Sequence, residues 1–155
     1  MRNKFRILPV IAVLFSEIML SSCGRDLTIS ISEFYIDKQF CKEHLIPEKL
    51  YRIDTRDDMD ALFPNQALYS LENIDFAKHT VLLVYGIVPG NYTQNVELKK
   101  KQSNEYALQI RISLGIATAV ASSTWSVACI TNTKLSDEDN VTLDLLISNS
   151  GKIHE

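Results

Sequence analysis

The run Thr80-Val81-Leu82-Leu83-Val84-Tyr85-Gly86 constrains this chain more than any other stretch. A strand turns successive side chains to opposite faces, and here both faces are apolar. Such a strand has to be covered on both sides, so it is expected at the centre of the fold. Asn73-Ile74-Asp75-Phe76-Ala77-Lys78-His79 reads as a turn-rich lead-in, and Pro89-Gly90-Asn91 as the turn that follows. Downstream, Tyr92, Val96 and Leu98 alternate with Thr93, Asn95 and Glu97. Lys99 to Asn104 reads as a polar hairpin connection. Three lysines there are expected to be solvated edge protection, not a phosphate or anionic-lipid site. Glu105–Leu114 is the cleanest strand: Tyr106, Leu108, Ile110, Ile112 and Leu114 take one face, with Glu105, Gln109, Arg111 and Ser113 on the other. One core face and one wet face mark an antiparallel sheet. After a small-residue loop from Gly115 to Thr124, the alternation resumes at Trp125, Val127 and Cys129, and again at Val141, Leu143, Leu145 and Ile147.

The first half of the chain is more mixed. Leu27, Ile29 and Ile31 alternate with Thr28, Ser30 and Ser32 and read as one strand. Residues 33–48 are open between a short helix and a folded-over strand, ended by Pro47. Tyr51 and Ile53 against Leu50, Arg52 and Asp54 give another short strand. Thr55 is the expected N-cap of a helix, with Asp57 and Asp58 in its first turn. Met59, Leu62 and Phe63 form its apolar stripe and Pro64 stops it. Asp57, Asp58 and Asp60 lack the order of a calcium loop. The sum is an α+β fold, mainly antiparallel: a curved sheet or open barrel of about six or seven strands with one covering helix. It forms a single globular domain over 27–148, followed by a polar tail over 149–155.

The amino terminus carries a different message. Arg2, Lys4 and Arg6 form a basic segment, and Ile7 to Leu20 is an apolar core of 14 residues. That is signal-peptide length, short of the ~20 residues that span a bilayer as a helix. It closes on Leu20-Ser21-Ser22-Cys23, which resembles the bacterial lipobox. The resemblance implies a lipoprotein signal peptide over 1–22, cleavage before Cys23, a diacylglyceryl thioether on its sulfur and a palmitate-type chain on its new amine. Two or three chains hold firmly, because each buried methylene adds ~0.8 kcal/mol. An ordinary signal, or a buried N-terminal helix with Cys23 as bystander, is the alternative, and Glu17 late in the apolar core favours it. The tether over 23–26 is short, a reach of roughly 14 Å. The expected address is outside the cytoplasm, lipid-anchored to a Gram-negative cell envelope, with the outer membrane favoured.

Removing residues 1–22 leaves 133 residues, one ordinary domain, and takes three basic and one acidic residue. The formal charge moves from −3 to −5. An acidic body is not expected to bind nucleic acid. Cys41 and Cys129 remain. A disulfide closing their loop would stabilise by about 4.5 kcal/mol in the chain-entropy model; two buried free thiols are the alternative. Cys41 and His44 have a C-x2-H spacing but no partner pair, since His79 and His154 lie far off, so neither metal nor cofactor is expected. No nucleophile motif is present, and Asp75 with His79 is explained by turn capping, so no catalytic residue is assigned. Tyr92, Trp125 and Tyr85 are candidate stacking groups for a glycan or small ligand; core packing is their other reading.

Ile74-Asp75-Phe76-Ala77-Lys78 before the apolar strand, then Gly86-Ile87-Val88-Pro89-Gly90-Asn91-Tyr92 and a further strand, resemble the PrcB-like family of lipoprotein subunits associated with an envelope protease. The similar stretch spans about residues 50 to 115. The turn here is one residue shorter than the family's, and the Trp125 region has no counterpart in the pattern. The resemblance implies a non-catalytic module that binds or stabilises a protein partner, a protease among the candidates. A glycan- or small-ligand-binding lipoprotein is the alternative, and an envelope hydrolase a third reading. The sequence does not fix the oligomeric state.

Overall fold

The computed structural model describes residues 26–64, 73–115 and 122–149. The signal segment, Cys23 and the tail beyond Asn149 lie outside the described residues. In chain order the elements are β1 (Leu27–Ile29), β2 (Ile31–Glu33), α1 (Lys38–His44), β3 (Tyr51–Ile53), α2 (Arg56–Leu62), β4 (Val81–Pro89), β5 (Tyr92–Gln102), β6 (Glu105–Leu114), β7 (Ser122–Thr131) and β8 (Asn140–Asn149). They build two four-stranded sheets, in the orders β1-β5-β6-β8 and β2-β7-β4-β3. Five of the six strand pairings are antiparallel; β6 and β8 run parallel. The expected α+β, mainly antiparallel class holds. The single curved sheet or open barrel of six or seven strands with one helix does not: the described residues form eight strands in two sheets, with two helices and no closed barrel.

The double-sided apolar run explains the architecture. Leu82, Val84 and Val88 of β4 face the other sheet, where they meet Leu98, Leu108, Ile110 and Ile112 together with Trp125 and Val127. Val81, Leu83 and Tyr85 face the opposite way, onto Phe40, Cys41, Met59 and Phe63 of the helical side. The molecule therefore has three layers: sheet, sheet, helices. Eight of the eleven largest fully buried side chains lie between the sheets, so the inter-sheet layer is the main core.

One more strand forms than the alternation shows, because the chain changes sheets inside a continuous alternating run. Leu27–Ser32 was expected as one strand, yet β1 pairs with β5 in one sheet and β2 with β7 in the other. Ser30 sits at the crossing, its carbonyl accepting from Asn132 N at 3.2 Å and its hydroxyl from Asn132 Nδ2 at 2.7 Å. The second crossing, between β4 and β5, uses Gly90 at φ 71°, a region that L side chains disfavour. The lysine triplet lies inside β5, with a bulge between Lys100 and Gln102; the hairpin tip is Ser103-Asn104. The ambiguous stretch resolves into α1, capped by Asp37, whose carboxylate accepts from Gln39 N and Phe40 N. The expected helix forms as α2, with Thr55 and Asp58 making a reciprocal capping box.

Trp125 is fully buried opposite Gly86 on the neighbouring strand. A Cβ at position 86 would stand 2.5 Å from the indole, so only glycine leaves the ring its place. Gly86→Ala is expected to cost about 1–3 kcal/mol or more by overpacking, read as a lower urea midpoint with an unchanged slope.

Candidate functional site

The corner where β5 meets the edge of β7 holds an open polar hollow. β2 covers β7 only over Cys129–Thr131, and Phe34 N reaches the Ala128 carbonyl at 2.9 Å before the chain leaves for α1. Among the described residues, no strand therefore pairs with 122–127 on that side. Side chains from β5 take over: the Tyr92 hydroxyl donates to the Thr124 carbonyl at 3.0 Å, and Gln94 Nε2 to the Ser126 carbonyl at 3.2 Å. Lys38 Nζ donates to the Tyr92 hydroxyl at 3.0 Å and lies 5.4 Å from the ring centre. The result is a hollow of about 690 Å³ lined by Lys38, Gln39, Lys42, Asn91, Tyr92, Gln94, Ser123 and Thr124. A second, of about 320 Å³, shares Asn91 and Tyr92 with it and adds Thr93, Ser113 and Gly115.

Of the aromatic candidates, only Tyr92 lines a cavity. Trp125 is 0% exposed between the sheets, and its indole N–H has no hydrogen-bond partner. Tyr85 is buried against the helices, and its carbonyl accepts from Glu48 N at 2.7 Å. Neither can stack on a ligand. A buried strand position opposite a glycine and a ligand platform look alike in sequence, which is why Trp125 was a candidate. Lys38, Lys42, Gln94, Ser123 and Thr124 were missed, since nothing local tells that α1 and β5 meet at the end of β7.

Cys41 and Cys129 are free buried thiols. The disulfide considered from sequence is not formed: Cys41 belongs to the helix-side core and Cys129 to the inter-sheet core, with the β4–β7 sheet between them. Burial pushes the Cys41 thiol up to about 11 and the Cys129 thiol up to about 12. His44 packs its ring on Phe40 and Phe63 at 4.5 and 6.1 Å. His79 Nδ1 sits 2.8 Å from the Thr131 carbonyl, while Asp75 caps Ala77 N and pairs with Lys78. The side chains of Asp75 and His79 thus have different partners, and the two residues meet through the backbone, His79 N donating to the Asp75 carbonyl at 3.1 Å. Among the described residues no three His, Cys, Asp or Glu side chains come together as a metal site. His154 lies outside those residues.

A second polar cluster, unforeseen from sequence, ties the β7–β8 connection to β3 and β4. Asp54 accepts from Arg52, from Lys134 Nζ at 3.2 Å and from Thr80 Oγ1 at 2.6 Å. Arg52 also donates to the carbonyls of Leu135, Ser136 and Asp139. Burial alone would raise the Asp54 carboxyl, but hydrogen bonds from Thr80, Arg52 and Lys134 outweigh it and hold the pKa below its ordinary value. Arg52, Lys134 and Thr80 all find acceptors within the chain, so the cluster acts as a structural clamp.

No family model, curated protein or solved structure matches this chain.

Because the folded carboxyl of Asp54 titrates below the unfolded one, its stabilisation is complete above the ordinary value of 3.8 and fades as pH falls below it. Asp54→Asn should cost about 1–3 kcal/mol at pH 7 by leaving buried donors unmatched. Its stability should also depend less on pH below 3.8 than the wild type's, in urea melts across pH. Cys41 and Cys129 should react with a thiol reagent at pH 8 only as fast as the chain unfolds.

Proposed function

We propose that the chain is a membrane-anchored envelope lipoprotein, non-catalytic, that binds or stabilises a protein partner, a protease among the candidates. The observation that carries the protein-binding reading is the outer edge of β8. This ten-residue strand ends its sheet, and among the described residues its one neighbour is β6. Natural edge strands are blunted by lysine, proline or a bulge. β8 has none of these; Asp144 is its one charge, and its register with β6 is unbroken. Leu146 and Ile147 are 56% and 41% exposed upon it. A long, regular edge strand that exposes Leu146 and Ile147 is a surface that an added strand from another protein can use.

The lipid-anchor reading rests on Leu20-Ser21-Ser22-Cys23. Asp26, three positions beyond Cys23, pairs with Lys101 Nζ at 2.6 Å beside the start of β1. Lipid on Cys23 would therefore hold this end of the body within ~11 Å of the membrane. The PrcB-like resemblance belongs to the same proposal. A glycan-binding role is less favoured, because Trp125 is buried and Tyr92 is already engaged by Lys38 and Thr124.

Cys23→Ala should move the protein from the membrane pellet to the soluble fraction; persistent pelleting would contradict the anchor. Affinity capture of the full chain from detergent-solubilised membranes should recover a stoichiometric protein, and Leu146→Lys with Ile147→Lys should lose it. Recovery of no such protein would count against the partner reading.

A further inference from the structure

The row of the sheet that β2 begins is only half filled. β2 pairs over three residues, Phe34 adds one bond, and the chain then turns away into α1. The next six positions of β7, 122–127, keep their extended geometry, and no other strand among the described residues lies on that side. Because Ala128 accepts from Phe34 on this side, Thr124 and Ser126 also direct their backbone groups there, as a period of two requires. Their carbonyls are held by the Tyr92 and Gln94 side chains, single contacts that an incoming backbone N–H can replace.

The flanks of this slot are charged with one sign. α1 leaves β2's row carrying Lys38 and Lys42 into the hollow, and neither forms an ion pair among the described residues. No carboxylate lines the hollow, on a chain whose formal charge is −3. Its volume of about 690 Å³ suits a short peptide segment. Side chains of a strand in this row would alternate between the α1 face, where the two ammonium groups are, and the β5 face, where Tyr92 and Gln94 are.

We propose that this corner is a binding site for an extended acidic peptide segment. The segment completes β2's row along residues 122–127, with carboxylates at alternate positions set against Lys38 and Lys42. It rests on the protein-binding reading only in taking a polypeptide as the occupant, and it uses a surface separate from the β8 edge. The site lies at the opposite end of β5 from Lys100 and the anchor, eight residues or about 26 Å along the strand. It therefore faces away from the membrane surface.

The test uses the full-length lipidated protein in detergent micelles and two labelled hexapeptides. One alternates glutamate with valine; the other alternates lysine with valine. The glutamate peptide should bind at least about tenfold tighter than the lysine peptide, and Lys38→Glu with Lys42→Glu should reverse that order, as charge complementarity requires. Lys42→Glu alone, at an exposed helix position, should give part of the loss in a chain of unchanged thermal stability. On binding, the backbone amides of Thr124 and Ser126 should become protected from hydrogen exchange. Equal binding of both peptides, or competition by free glutamate at the same concentration as the peptide, or unprotected Thr124 and Ser126 amides, would each overturn the proposal. Partner capture that survives Lys38→Glu with Lys42→Glu but fails in the Leu146→Lys and Ile147→Lys variant leaves the β8 reading standing, so the two failures are distinguishable.

Discussion

The pairing of β4 with β7 is the interaction on which the rest depends. It runs over nine residue pairs, from Val81 with Ile130 to Pro89 with Ser122. This ladder is the shared wall of two cores, since side chains of alternate parity enter the inter-sheet layer and the helix-side layer. A one-residue slip would exchange the two sets and place Trp125 where Gly86 no longer faces it. Register is therefore fixed from both sides at once. The close approach of Trp125 to Gly86 reinforces it, at the cost of an unmatched indole N–H in the interior.

Given this wall, the other elements have few choices. β3 and β2, three residues each, flank it, and each leads into a helix. The Asp54 clamp and the Thr80–Thr131 hydrogen bonds close one end of the wall. The other end is closed less completely, by Tyr92 and Gln94 reaching across from β5. One end is rigid and internally satisfied; the other offers open backbone and two lysines. That asymmetry is what the proposed binding of another chain draws on, together with the edge of β8.

Much of this was legible in the sequence. The two-faced run at residues 80–86 announced a central strand. The alternation in 105–114 matched β6 to the residue, and the capping residues of α2 were readable from Thr55 onward. These are local patterns, written by burial period and cap chemistry. What was lost is non-local. Nothing in Leu27–Ser32 tells that the chain changes sheets at Ser30, because the partner that holds it there is Asn132. The parallel pairing of β6 with β8 depends on β7 crossing to the other sheet between them. The Asp54 clamp joins residues 26 and 80 positions apart, and the Tyr92 corner joins residues 32 and 54 apart. Cys41 and Cys129 share a residue type but not a core, which no spacing rule conveys.

Native-state hydrogen exchange resolved by residue tests the central claim most directly. If β4 and β7 form the doubly covered wall, the amides of Leu82–Gly86 and Trp125–Cys129 that pair across it should exchange slowest, only through global unfolding. Amides on the outer side of β8 should exchange faster by orders of magnitude. Amides of Leu82–Gly86 exchanging as fast as those of β8 would contradict the account.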